Sequence, residues 1–154
     1  MDIKSLKPSK NSKYINGDFD RFNPKKYFGK KPIWYRSGYE LIFMQKVELN
    51  PKVEKWSSEN IQIPYIMKEK DSTGKLVNVR HTYNIDFTVF LTTGEKYIIE
   101  VKPLEFVPLN ESQIKRDPVM QKNACKWRSA IQWAKFNGYE FKIVTEKHLK
   151  TRIF

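Results

Sequence analysis

Two neighbouring stretches carry dense apolar patterning, Tyr83 to Leu91 and Lys96 to Lys102, with Thr92-Thr93-Gly94 between them. Short runs rich in Val, Ile, Phe and Tyr, bounded by a glycine-containing turn, read as strands. A three-residue loop ending in glycine is a common hairpin connection. That loop sets a register in which Leu91 faces Glu95 and, counting back, Asp86 faces Glu100. Upstream, Ser37 precedes a helix-like run to about Leu49 that Asn50-Pro51 stops, and Glu40 follows Ser37 at the spacing of a capping box. Segments 53–56 and 61–68 read as extended. The turn Asp71-Ser72-Thr73-Gly74 leads into Leu76 to Thr82, which makes a meander before the hairpin.

Beyond Lys102-Pro103 and a loop with Pro108, helical patterning runs from about Pro118 to Phe136. Proline suits its first turn, and Asn137-Gly138 ends it. Met120, Ala124, Trp127, Ile131 and Ala134 recur at steps of three and four and define its buried stripe. A last strand, Tyr139 to Val144, and a short helix, Glu146 to Lys150, follow. The order helix, antiparallel strands, helix, strand makes the long helix a crossover. It therefore predicts an α/β fold, a mixed sheet covered by helices.

Charge divides the chain of 154 residues further. Residues 1–31 hold nine basic and three acidic residues, residues 32–114 ten and eleven, and residues 115–154 ten and three. A near-neutral middle is thus flanked by strongly basic ends, within a formal net charge of +12. Such flanks attract a polyanion. Residues 1–31, Lys-rich and without sustained periodicity, read as a basic N-terminal arm, with Tyr14, Phe19, Phe22, Tyr27 and Phe28 as docking points. Residues 32–154 read as one domain. No apolar run reaches the ~20 residues of a membrane span, and no signal-peptide pattern opens the sequence. The single cysteine, Cys125, excludes an internal disulfide and is expected as a buried thiol on the long helix; a cytoplasmic origin is the simple reading.

The chemistry-bearing residues lie on the hairpin. Glu100 and Lys102 share one strand face, and Asp86 is opposite Glu100. Facing carboxylates ~5 Å apart repel, an arrangement that a cation between them relieves. Magnesium or manganese takes hard oxygen ligands, which Asp86, Glu100 and the backbone carbonyl of Val101 can supply. Lys102 is suited to holding or deprotonating an attacking water, or to meeting a phosphate oxygen. The same residues also fit a salt bridge of Asp86 or Glu100 with Lys102 at a sheet end, without metal. Glu40 fits either the capping box alone or the site as well, and Gln62 either water ordering, DNA contact or plain surface. A second Glu-x-Lys, Glu140-Phe141-Lys142, has no comparably placed acid and reads as solvated strand. His81, His148 and Cys125 make no zinc spacing, and no glycine-rich phosphate loop is present. Lys115, Arg116, Lys122, Lys126 and Arg128 bracket the long helix as phosphate-contact candidates, or as its soluble face.

Taken in order, Ser37-Gly38-Tyr39-Glu40, Gln62-Ile63-Pro64-Tyr65, Tyr83-Asn84-Ile85-Asp86 and Ile99-Glu100-Val101-Lys102 resemble the motifs of the PD-(D/E)XK nucleases. They resemble especially the TnsA-like branch, and also the head completion nucleases of T-even-type tailed phages. The resemblance spans about residues 32 to 149. It implies a restriction-endonuclease-like mixed sheet flanked by helices, with Glu40, Asp86, Glu100 and Lys102 as the catalytic set and Glu40 as a further metal ligand. It implies magnesium, with manganese able to substitute, and hydrolysis of phosphodiesters in double-stranded DNA by endonuclease or also exonuclease action. One departure is Ile85, where the family motif has a proline that shapes backbone rather than chemistry. The phage branch further implies head completion before head-tail joining, portal or neck proteins as partners, and a place in the host cytoplasm or at the virion neck. Alternative readings are a non-catalytic DNA-binding or neck structural protein, the endonuclease subunit of a transposition system, and a junction resolvase.

Overall fold

The computed structural model describes residues 16–154; Tyr14 lies outside them. In chain order the elements are β1 (Gly17–Asp18), β2 (Trp34–Tyr35), α1 (Gly38–Leu49), β3 (Val53–Ser58), β4 (Gln62–Lys70), β5 (Leu76–Asn84), β6 (Phe87–Leu91), β7 (Lys96–Val101), α2 (Glu111–Arg116), α3 (Pro118–Asn137), β8 (Glu140–Val144) and α4 (Glu146–Lys150). The central sheet has the order β3-β6-β7-β8; its first three strands are antiparallel, and β7 and β8 are parallel. Parallel neighbours need a crossover, and α3 supplies it. This is the mixed sheet expected from the order of elements, in a restriction-endonuclease-like α/β arrangement.

Strand β7 explains why the run from Tyr97 to Val101 shows no alternation. Ile99 and Val101 join Leu41, Phe43 and Val47 of α1, together with Leu149 of α4, in one apolar cluster. Ile98 instead joins Trp127, Ala130 and Ala134 of α3 in a second cluster. A strand covered on both faces reads as continuously apolar. The molecule therefore has three layers, with α1 and α4 on one side of the sheet and α3 on the other.

Several expectations are corrected in detail. The apolar stretch from Tyr83 to Leu91 is not one strand. Tyr83 and Asn84 end β5, which pairs with β4 in a separate two-stranded ribbon, and β6 begins at Phe87. Between them Ile85 N–H donates to the Ile61 carbonyl (3.0 Å), and Glu59 N–H donates to the Asp86 carbonyl (3.0 Å). The chain switches here from ribbon to sheet. Ile85 is buried with the α3 cluster and Phe87 with the α1 cluster, so both remain apolar and the switch leaves no mark in the pattern. On α3, Ile131 is 53% exposed, while Asn123 and Ala130 are buried. The small Ala130 and Ala134 meet the sheet, and Ile131 lies one step off that line. Helix α2 was not expected; Asn110 caps it by accepting from Gln113 N–H (2.9 Å). Cys125 is half-buried rather than buried. Lys142, expected as solvated, is half-buried, donates to the Ile153 carbonyl and lies over the Phe154 ring.

In the described part of the basic lead-in, aromatic side chains meet the core. Phe19 is buried, and the rings of Phe19 and Tyr27 stand edge-on to Trp56 at 5.6 and 4.9 Å. Glu48 of α1 accepts from the main-chain N–H groups of Lys25 and Lys26 and from the Trp56 indole (each 3.1 Å).

Candidate active site

The hairpin of β6 and β7 has the register that its loop demands. Leu91 N–H donates to the Glu95 carbonyl (2.9 Å) and Gly94 N–H to the Leu91 carbonyl (3.0 Å), with Gly94 at φ +103°. That φ lies in the region that only glycine enters without strain. Pairing runs from Phe90 with Lys96 to Phe87 with Ile99. The ladder ends there; the same register carried one residue further sets Asp86 against Glu100, and the two carboxyls do lie close enough to interact.

At this sheet end the side chains lock one another. Asp86 Oδ2 accepts from Val101 N–H at 2.9 Å. Glu100, 6% exposed, accepts from the Tyr83 hydroxyl at 2.6 Å, and its other oxygen is 4.0 Å from Lys102 Nζ. Because the faces of β7 alternate, Glu100 and Lys102 point to the side of α3 and the ribbon. Tyr83 arrives there from β5, and Lys126 arrives from α3 with its ammonium 5.2 Å from the centre of the Tyr83 ring. Glu40 enters from the first turn of α1. Ser37 caps that helix by accepting from Glu40 N–H (3.1 Å), but the Glu40 carboxylate accepts from Arg36 N–H (2.9 Å), not from Ser37. The expected capping box is thus only half formed, and Glu40 reaches toward the other acids.

The electrostatics are those of crowded acids. Burial first, then the charges of Glu100 and Glu40, holds the Asp86 carboxyl well above the usual carboxylate range. Burial raises Glu40 as well; Glu100 adds to that shift, while Arg36 and Lys102 oppose it. Desolvation lowers Lys126, and Lys122 and Lys102 push the same way against the pull of Glu100 and Asp86. The Tyr83 hydroxyl is raised by burial and by Glu100, so it stays a proton donor.

Of the residues singled out in the sequence, the fold brings Asp86, Glu100, Lys102 and Glu40 together, with Lys126 beside them. Lys115, Lys122 and Arg128 are exposed, and Arg116 is exposed and engaged with Ser112. Gln62 is exposed at the ribbon root, paired with Asn84. Tyr83 was missed as a site residue. Its only signal was its position three residues before Asp86, which means little until the break at Ile85 is seen.

Among the described residues no three acid, His or Cys side chains stand close enough to enclose an ion by themselves. Magnesium asks for less, since it is held by one or two carboxylates with water and substrate completing the shell. The donors fit such an ion: hard oxygens only, with acidic repulsion that a cation would relieve.

The sequence profile described as "TnsA-like endonuclease N terminal" matches residues 50–146. The chain is also 29% identical over 140 residues to the head completion nuclease of Enterobacteria phage T4, covering 83% of this chain and 89% of that protein. The matched profile spans β3 to the start of α4 and includes Asp86, Glu100, Lys102 and Lys126, and by that match the chain belongs to the TnsA-like endonuclease family.

Proposed function

We propose that this protein is a magnesium-dependent deoxyribonuclease acting in phage head completion, the role that the T4 relative's name states for that protein. The observation that carries this reading is the meeting of Asp86, Glu100 and Lys102 at one sheet end, with the charge of Glu40 adding to the crowding of acids there. Asp86 and Glu100 would hold the ion, with the Val101 carbonyl and Glu40 as further donors, and manganese would substitute. When bound, the ion supplies polarisation of the phosphate and acidification of a water. Tyr83 fixes the Glu100 carboxylate through its 2.6 Å hydrogen bond. Lys102 orients water or a non-bridging phosphate oxygen and passes a proton at its Nζ. Lys126, Lys122, Arg128, Lys115 and Arg116 form the basic surface that holds the DNA backbone without reading sequence.

In this role the protein acts in the host cytoplasm on packaged double-stranded DNA and meets portal or neck proteins before the tail joins, with retention at the neck as one outcome. It cuts internally, and trimming from ends belongs to the same chemistry. The family description favours a second reading, an endonuclease subunit directed to transposon ends by a transposase.

The test is incubation of supercoiled and linear DNA with purified protein in magnesium, manganese or chelator, alongside Asp86→Asn and Lys102→Ala. Metal-dependent nicking or degradation, absent in both variants while binding persists, is the expected result. Cutting that survives Asp86→Asn would point to another centre. Tight binding without cutting in either metal would leave a DNA-binding or neck structural protein.

A further inference from the structure

The ribbon of β4 and β5 stands apart from the central sheet, and its two faces differ in kind. Its register pairs Ile63 with Tyr83, Tyr65 with His81 and Met67 with Val79 on one face. That inner face lies toward α3, and its one acid, Glu69, is paired with His81 at 2.7 Å. The outer face carries the alternate pairs, Gln62 with Asn84, Pro64 with Thr82, Ile66 with Arg80, Lys68 with Asn78 and Lys70 with Leu76. All ten of these residues are exposed; three are basic, three are side-chain amides and none is acidic. Ile66 and Leu76 are more than 60% exposed, with nothing among the described residues covering them.

We infer that the outer face of this ribbon is a duplex-DNA surface that seats in the major groove beside the cutting site. This rests on the nuclease reading above. Three observations carry it. A two-stranded ribbon has the cross-section that the major groove admits, and nine residues per strand extend for roughly 30 Å, close to one helical turn of DNA. Lys68, Lys70 and Arg80 are the exposed basic residues of this face and would reach flanking phosphates, while Asn78 and Ile66 beside them would meet base edges. The ribbon root is joined directly to the site: its ladder ends at Gln62 and Asn84, and the next main-chain bonds run through Ile85 and Asp86. A duplex held on the ribbon therefore runs past Asp86. Lysines on an exposed strand also discourage edge-to-edge aggregation, but that role does not require acids to be absent from one face only.

The test compares wild type with Lys68→Ala/Lys70→Ala/Arg80→Ala, and with Lys135→Ala/Lys147→Ala/Lys150→Ala, which removes equal charge from exposed positions elsewhere. Binding of a 20-base-pair duplex is read by anisotropy over a salt series in chelator, with folding checked by thermal melts and cleavage assayed separately in magnesium. The ribbon variant should bind at least about tenfold more weakly, with a salt slope smaller by about 2 to 3 for three lost phosphate contacts. The control variant should change far less. Bulky C5 substituents on the pyrimidines, which occupy the major groove, should weaken wild type and hardly affect the ribbon variant. Equal losses in the two triple variants, unchanged binding by the ribbon variant, or sensitivity to a minor-groove ligand instead would overturn the inference. Cleavage by wild type with unchanged ribbon-variant binding sinks the ribbon alone. Lost binding in the ribbon variant, with no cleavage by any protein, sinks the nuclease reading and keeps the ribbon.

Discussion

Replacing Asp86 with Asn should stabilise the metal-free protein at neutral pH while abolishing cleavage. The amide is nearly the same size, and its oxygen can still accept the 2.9 Å bond from Val101 N–H, so packing and that hydrogen bond are kept. What is lost is a charge that burial, Glu100 and Glu40 all disfavour. A carboxyl whose folded pKa lies above its unfolded value of about 3.9 favours the fold while protonated. That contribution is complete below the unfolded value and is lost as pH rises through the folded one. The advantage of Asn should therefore be small near pH 4.5, grow with pH, and level off above the folded pKa. Each tenfold difference in proton affinity is worth about 1.4 kcal/mol. For a domain of this size, 1 kcal/mol moves the melting midpoint by roughly 2–4 °C.

The assay is a set of thermal melts of both proteins in chelator from pH 4.5 to 8.5, repeated with magnesium or manganese. A ligand at a hundred times its Kd stabilises the native state by about 2.7 kcal/mol, so wild type should recover the gap in metal and Asp86→Asn should not. Three results refute the reasoning. The variant melts at or below wild type at pH 8 in chelator, or the gap does not vary with pH, or metal raises both midpoints equally.

Other consequences are local. Tyr83→Phe removes the 2.6 Å donor from a buried Glu100 carboxylate and should cost about 1–3 kcal/mol in urea unfolding, with cleavage reduced more than DNA binding. Gly94→Ala has open space around it but a φ of +103°, so its cost of about 1–2 kcal/mol is backbone alone; unfolding and metal affinity measured together should show whether the hairpin register shifts. Trp56→Ala empties the centre of the Phe19, Tyr27 and Phe87 ring cluster. It should cost about 3–5 kcal/mol and speed limited proteolysis near residues 24–28.

What could be read from the chain depended on how far each signal was local. The Asp86–Glu100 register needed only a loop length and a glycine, and the cap at Ser37 only one side chain and one N–H. The break at Ile85 was hidden because burial in either of two clusters selects the same residue types. Lys126 was visible as a helix cation, but its place over Tyr83 depends on how α3 crosses the ribbon, a tertiary fact with no sequence period. Ile131 shows the reverse failure. It satisfies the helical period, yet the sheet approaches at Ala130, where a small side chain lets the backbones come close.

The charge pattern and the site explain each other. A net −1 across residues 32–114 comes from ten basic and eleven acidic side chains, and three of those acids crowd one sheet end. On their own they would repel the polyanion that the basic flanks attract. A divalent ion held there would reverse the sign where the phosphate must sit and would leave the flanks as they were. Attraction and catalysis are then separable: the chelated protein should still bind DNA through its basic surfaces. On the proposed reading only a metal-loaded site would draw a phosphate down to Lys102, and the repulsion among the crowded acids would make it take a cation first.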